Sequence, residues 1–433
     1  MKADAQTYTD RERGFVAWSA ILGYGFDFYN LIILAFLVVP IQNSLGMGLA
    51  DTGMAVSATL AASVLGGILF GWLGDLIGRK QALLLTLVLL ASGSLLSALA
   101  WNFSSLLAFR VITGIGVGGE WGAGMVLLNE VWPAHRRGFG SSLVQAMSSF
   151  GTALASIAAT VTLAHLDPGI AWRTCFAVGG VPLLLMLFVR SRMPESRLWL
   201  EYQRRRSSGE LPPEKLALSS PLIEIFRGAS LGYFILATIV AGGYIVNYQS
   251  ISIFMPTLMQ RDLATPLDAL RAANLVFAAV SAVGMVVTGI VSDWCGRRLA
   301  VLLSTVIGIV GLVALYTGST ERYPGLLVSW WLFWAWLLWG FGQGAIGQFG
   351  PWFAELHPVE IRATAASTIF NTGRLIGSLA PYAVPVIATA VGSLRDGMML
   401  AAAGAVVSLA VALVLPETVG RPFAVVEGKD RMS

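Results

Sequence analysis

The stretch Gly71-Trp-Leu-Gly-Asp75-Leu-Ile-Gly78-Arg79-Lys80 returns 218 positions later as Gly289-Ile-Val-Ser-Asp293-Trp-Cys-Gly296-Arg297-Arg298. In both copies an apolar run ends beside an aspartate, a glycine permits a tight turn, and two basic residues open the next apolar run. An aspartate at a helix end is placed to meet the positive N-terminus of a neighbouring helix, and contacts of that kind can hold a gate shut. Gly71, Asp75, Gly78, Arg79, Asp293 and Arg297 are therefore gating candidates. Two further landmarks repeat in the same order: Glu130, Pro133 and Arg137 match Glu355, Pro358 and Arg362 at an offset of 225, and Pro194-Glu195-Ser196 matches Pro416-Glu417-Thr418 at 222. Several landmarks at nearly one offset mark a tandem duplication. Glu130, Arg137, Glu355 and Arg362 join the gating set.

Composition says what solvent the duplicated unit meets. Of 433 residues, 56% are apolar and 12% charged, where an average soluble domain carries about 25% charge. With a mean hydropathy of +0.73, a soluble protein is excluded and most of the chain faces lipid. Apolar stretches of spanning length recur at roughly 14–43, 52–76, 81–101, 105–132, 139–165, 171–191, 229–259, 268–292, 298–317, 325–353, 360–391 and 395–416. The fold class expected is an all-α membrane protein of twelve transmembrane helices in two pseudo-symmetric six-helix bundles. Residues 1–191 form the N-terminal bundle, 192–228 a polar, turn-rich linker, and 229–433 the C-terminal bundle and tail.

Placement of basic residues sets the orientation. With the N-terminus inside, 21 of the 28 Lys/Arg fall in inner segments, five in outer loops, and two, Arg110 and Arg374, within spans. Lys and Arg resist translocation, so both termini and the linker are expected in the cytoplasm and the protein in the cell inner membrane. This topology, rather than nucleic-acid binding, accounts for the net charge of +4. The polar first thirteen residues lead into span 1 without a cleavage site, unlike a removable signal peptide. Cys175 and Cys295 fall on opposite sides and cannot pair, the three histidines lack metal spacing, and the glycines lie in apolar spans rather than in a phosphate loop. No cofactor, metal or nucleotide is expected.

At this point Gly71–Lys80 resembles the signature loop of the major facilitator superfamily, and Arg110-Val-Ile-Thr-Gly114-Ile-Gly116 its fourth-helix motif. Gly118-Gly-Glu120-Trp-Gly-Ala-Gly124, Glu130-Val-Trp-Pro133 and Arg137-Gly138 are similar to the sialate/lactate and metabolite symporters, while Tyr24-Gly-Phe-Asp27 resembles the Asp-Gly-Phe-Asp stretch of aromatic-acid symporters with Tyr24 in place of the first aspartate. The two Pro-Glu-Ser/Thr copies are also similar to sugar porters. Residues 134–167 hold no proline, unlike the fifth span of proton-driven exporters.

Ionisable side chains inside hydrocarbon cost roughly 2.5–3.5 kcal/mol each and invite functional roles. Asp27 lies deep in span 1, with Tyr24 and Asn30 on the same helix face; it reads as a protonation site or as a structural partner of Arg110. Arg110, one turn before Gly114, reads as a tuner of the proton site or a packing residue, and Glu120 as a second proton carrier or part of a contact network. Arg374, with Asn371 one turn away, suits bidentate binding of a carboxylate, and in the resembled organic-acid symporters an arginine in this span does so; the other reading is an inter-helix ion pair. Gln145, Tyr244, Asn247, Gln343, Gln348 and Tyr382 complete the substrate-binding candidates, and half of them suit plain helix-to-helix hydrogen bonding equally well. The tryptophans of span 10 read as an interface belt or an aromatic wall. The function expected is a monomeric secondary transporter, not an enzyme, taking up a small organic anion with protons by alternating access. A sugar or neutral-metabolite transporter of the same fold, and a non-transporting membrane sensor, stand as alternatives.

Overall fold

The computed structural model describes residues 8–47, 49–191, 193–209, 221–255, 258–259, 263–265, 267–318 and 330–419. Its first six spans are Asp10–Phe36, Leu49–Ile77, Arg79–Ala98, Phe103–Val131, Arg137–His165 and Pro168–Ser191. The second six are Gly228–Ser252, Leu267–Cys295, Arg297–Thr317, a broken span 10 (Trp330–Phe341 and Ile346–Glu355), a broken span 11 (Arg362–Gly377 and Ala380–Val391), and Leu400–Ala412 behind the short turn Leu394–Gly397. Among the described residues, ten helices are long and apolar enough to cross a membrane; spans 6 and 10 complete the twelve. The end of the bundle that carries Arg79, Arg137, Arg297 and Arg362 is called the basic end below.

The helix boundaries follow from local chemistry. Span 1 begins with a capping box in which Thr9 and Glu12 satisfy each other's backbone N–H groups, and span 4 with the same device from Asn102 and Ser105. Spans 3 and 9 begin after Gly78 and Gly296, whose φ angles of 105° and 99° are open to glycine alone. Their first N–H groups, which no helical carbonyl can reach, are taken by carboxylates from the repeated Pro-Glu pairs. Glu195 accepts from Arg79 N and Lys80 N at 3.0 and 3.1 Å, and Glu417 from Arg297 N and Arg298 N at 2.8 and 3.0 Å.

Packing within the first half depends on bare backbone. A methyl group on Gly118 would overlap the Ser63 carbonyl, and one on Gly114 the Thr59 carbonyl, so spans 2 and 4 approach closely. Span 10 is interrupted by a 3-10 turn at Gly342–Ala345 and contains Pro351. Span 11 breaks at Ser378 and Leu379, ahead of Pro381 and Pro385, which cannot donate to a helical ladder. Both breaks fall near mid-span, and the one in span 10 packs against Thr288 of span 8 and Gly308 of span 9.

The linker helix Arg197–Ser207 touches both halves at the basic end. Leu198 and Tyr202 pack with Ala354 and Val359 of the second half, while the Trp199 indole donates to the Asp75 carbonyl at 2.9 Å. Arg197 in turn is held by the N-terminal segment: its N–H donates to the Tyr8 hydroxyl at 2.7 Å, its guanidinium lies over the Tyr8 ring, and Glu12 pairs with it at 3.0 Å.

Candidate functional site

The seam at the basic end is built twice, once from each repeat. In the first, Arg79 pairs with Asp75 at 3.0 Å and Glu130 at 3.3 Å; in the second, Arg297 pairs with Asp293 at 2.8 Å and Glu355 at 3.3 Å. Each glutamate then receives an arginine from the opposite half: Arg362 reaches Glu130 at 3.4 Å, and Arg137 reaches Glu355 at 3.6 Å. Each aspartate meets a helix start across the seam. Asp75 accepts from Thr364 N at 2.7 Å and Thr364 Oγ1 at 2.5 Å, with Ala363 N at 3.4 Å. Asp293 accepts from Gly138 N and Phe139 N at 2.8 and 2.9 Å. Gly71, against Ser367 and the Ala363 carbonyl, leaves no room for a side chain. Helix N-termini favour carboxylates, and these contacts join the two halves at the basic end.

Further from the basic end, polar contacts across the seam continue through Gln348 to Ser142 Oγ at 2.8 Å, Ser367 to the Gly67 carbonyl, and Arg374 to Ser63 Oγ at 3.4 Å. At the level of Arg374 a charge from each half again comes near the other. Its guanidinium is within coulombic reach of the Asp27 carboxylate and the Tyr24 hydroxyl. Asp27 is 2% exposed and Tyr24 is buried. The Tyr24 hydroxyl accepts from Gln145 Nε2 at 2.7 Å and lies in the neighbourhood of Tyr248 of span 7. Tyr244, one turn from Tyr248, donates to the Gln343 carbonyl at 3.0 Å and meets Phe349 edge to face. Tyr248 stacks on Trp339, whose indole donates to Asn247 Oδ1 at 3.0 Å. Spans 1, 5, 7, 10 and 11 thus bring a carboxylate, a guanidinium, three tyrosines and amide side chains together between the halves.

Other candidates sit elsewhere. Asn30, on the same helix face as Asp27 by spacing, turns into the first half: its Oδ1 accepts from Ser94, its Nδ2 donates to the Phe26 carbonyl, and its own carbonyl accepts from Arg110. Arg110 is fully buried beside it, donating to Ser97 and Thr113 and lying over the Phe176 ring. The contacts described for Arg110 are with neutral groups, and they tie spans 1, 3, 4 and 6 together. Glu120 is buried in span 4, with Thr86 Oγ1 donating to it at 3.4 Å. Asn371 is buried and donates to the Ser367 carbonyl beside Gly67, and Tyr382, on the outer segment of span 11, is 78% exposed. The span 10 tryptophans divide: Trp331 and Trp334 are exposed, whereas Trp336 and Trp339 are buried against Phe277. Sequence reasoning passed over Ser63, Ser142, Thr364, Tyr248 and Phe349, small or aromatic residues that a single sequence does not distinguish from packing. It also left Glu195 and Glu417 without a structural task, although their repetition was the signal for one.

Comparison with known proteins agrees with this architecture. The family described as Major Facilitator Superfamily matches residues 18–381. A protein named for metabolite transport from Haemophilus influenzae is 32% identical over 410 residues, covering 93% of this chain and 97% of that protein. One named for 4-methylmuconolactone transport from Cupriavidus pinatubonensis is 29% identical over 415 residues, covering 93% and 90%. The niacin transporter NiaP of Acinetobacter baylyi is 25% identical over 386 residues, covering 85% of each. The structure of the proton:xylose symporter XylE bound to 6-bromo-6-deoxy-D-glucose superimposes with a TM-score of 0.81 at 18% identity over 96% of this chain and 98% of that one, which shows a shared fold. The chain belongs to the Major Facilitator Superfamily and is a multi-pass membrane transport protein rather than an enzyme.

Proposed function

We propose that this transporter carries a small organic anion, a monocarboxylate or a ring-bearing acid, together with protons, from outside the cell inner membrane to the cytoplasm, with both termini and the basic end facing the cytoplasm. The arrangement that supports the reading is a buried carboxylate of the first half, Asp27, within coulombic reach of the Arg374 guanidinium of the second, with Tyr24 and Gln145 beside them. While Asp27 is ionised, its carboxylate competes with any substrate carboxylate for the guanidinium. Protonation of Asp27 removes that competitor, and Arg374 then takes the anion through paired N–H donors. A neutral, occupied chamber lacks the net charge that opposes closure of the outer side, and rocking of the halves parts the ion pairs around Asp75, Arg79, Glu130, Arg137, Asp293, Arg297, Glu355 and Arg362. Tyr24, Gln145, Tyr244, Asn247 and Gln343 supply the polar and aromatic wall. Relatives named for niacin and 4-methylmuconolactone transport support a compact acid as the cargo.

The test is counterflow and pH-gradient-driven uptake in proteoliposomes with nicotinate, benzoate, cis,cis-muconate, sialate and xylose. Asp27→Asn is expected to abolish gradient-driven uptake of the acid while leaving exchange intact, and Arg374→Ala to abolish both. Xylose transport that persists in Arg374→Ala and ignores competing acids would establish a sugar carrier instead, and saturable binding without flux a sensor.

A further inference from the structure

Between the Arg374 level and the ion pairs of the basic end, the two halves meet through a pair of aromatic rings. Trp121 of span 4 and Phe370 of span 11 lie 3.8 Å apart at 12°, and both are buried, at 3% and 2% exposure. Phe370 stands one helical turn from Arg374, whose guanidinium carbon is 5.0 Å from the centre of the Phe370 ring. On the other side of the stack come Ser367 on the Gly67 carbonyl and then Asp75 on Thr364. A solute held at Arg374 that left toward the basic end would cross this level. The Trp121 indole N–H is buried with no acceptor in this arrangement, an unsatisfied donor that parting of the halves would release to water.

We propose that the Trp121–Phe370 stack is the inner gate of the chamber, and that Arg374 helps hold it through its charge on the Phe370 ring. The stack is an apolar seal made by one ring from each repeat, so it exists only while the halves are closed at this end. Offset stacking and ring burial favour the closed arrangement, and the guanidinium adds a cation–π attraction on the face of Phe370 nearest the chamber. An anion that engages Arg374 draws the cation's field away from that ring and loosens the seal. This last link rests on the binding role proposed for Arg374, whereas the gate itself does not.

The experiment measures opening of the basic end without any substrate. In full-length protein in lipid nanodiscs, with Cys175→Ser, spin labels are placed on the exposed native Cys295 of span 8 and on Gln81→Cys, exposed at the start of span 3. Electron–electron distance measurements on this parent should give one dominant short separation. Trp121→Ala and Phe370→Ala should each raise the ratio of long to short separations by roughly tenfold. Arg374→Gln, which spares both rings, should raise it by roughly two- to fivefold. Distance distributions equal to the parent's in folded Trp121→Ala and Phe370→Ala overturn the gate. Should neither alanine variant fold, Trp121→Leu, which keeps apolar volume but removes the stacking ring, decides: an intermediate shift supports the gate and an unchanged distribution overturns it. An unchanged Arg374→Gln distribution overturns the guanidinium's part alone. Because no arm contains a substrate, failure of the gate and failure of the proposed cargo are read separately.

Discussion

Replacing Asp75 by Asn removes one charge and almost no volume, and the structure says what that charge holds. Its carboxylate receives the N–H and the hydroxyl of Thr364 at 2.7 and 2.5 Å, at the start of span 11 in the opposite half. Both bonds end on Asp75 Oδ2, so an asparagine oxygen in that place keeps them without the charge, while its amide nitrogen replaces Oδ1 and turns donors toward Ala363 N and Arg79 Nη1. The loss is the charge assistance of those two bonds, about 1 kcal/mol each, plus about 0.3–1 kcal/mol from the helix N-terminus. A net change of about 2–3 kcal/mol shifts the closed-to-open equilibrium of the basic end by about 30- to 150-fold. Arg79 keeps Glu130 and the Gly74 carbonyl, so the first half stays folded. Hydrogen–deuterium exchange should show faster exchange in peptides covering residues 360–368 and, equally, in 136–142, where Gly138 and Phe139 N–H groups are held by Asp293. The second peptide decides the matter. If 360–368 alone speeds up, Asp75 is a local helix cap and the two copies of the seam are not coupled.

Three further outcomes follow from particular contacts. His357, buried between spans 10 and 11, has its pKa held down to about 4 from 6.5 by burial. Below pH 6.5 the unfolded chain takes up a proton that the folded one refuses, so stability falls with pH across that window by about 2 kcal/mol at pH 5; thermal melts in detergent should show this slope flattened in His357→Phe. Gly118→Ala forces a methyl group against the Ser63 carbonyl and should cost about 3 kcal/mol, visible as lost monodisperse protein on size exclusion. Gly124→Ala, where the new methyl would sit 3.5 Å from Leu83, should be tolerated. Arg374→Lys, a point charge in place of a two-pronged donor, should raise KM for the transported acid by about tenfold in proteoliposome uptake.

The architecture was legible because lipid imposes it. Twelve apolar stretches with a single polar interruption leave little choice of fold, and the duplicated loop fixed which residues are equivalent. Asp75 with Arg79 and Asp293 with Arg297 stand where the register of the repeat puts them, each pair closing across the glycine turn, Gly78 or Gly296, that ends one helix and starts the next. What the register could not show was the crossing of partners: Arg362 on Glu130 and Arg137 on Glu355 depend on how the halves meet, a long-range property absent from any local spacing. Helical periodicity also misplaced Asn30. Three residues from Asp27 is the same face only within the width of a helix, and a close neighbour, span 3 with Ser94, claims that side chain for the interior of the first half. Breaks in spans 10 and 11 were hidden for a related reason, because glycine and proline in a membrane helix signal a bend only where a neighbouring helix can use it.

The exchange of arginines between the repeats bears on how such a protein tolerates damage. Each acidic site leans on one base of its own copy and one of its twin, so injury to Arg137 is felt at Glu355, over two hundred positions away, as well as at the Asn129 carbonyl close by in the chain. Genetic suppressors of a defect in one repeat should accordingly gather in the other, and a duplicated gene wired in this way can no longer be divided into halves that evolve on their own.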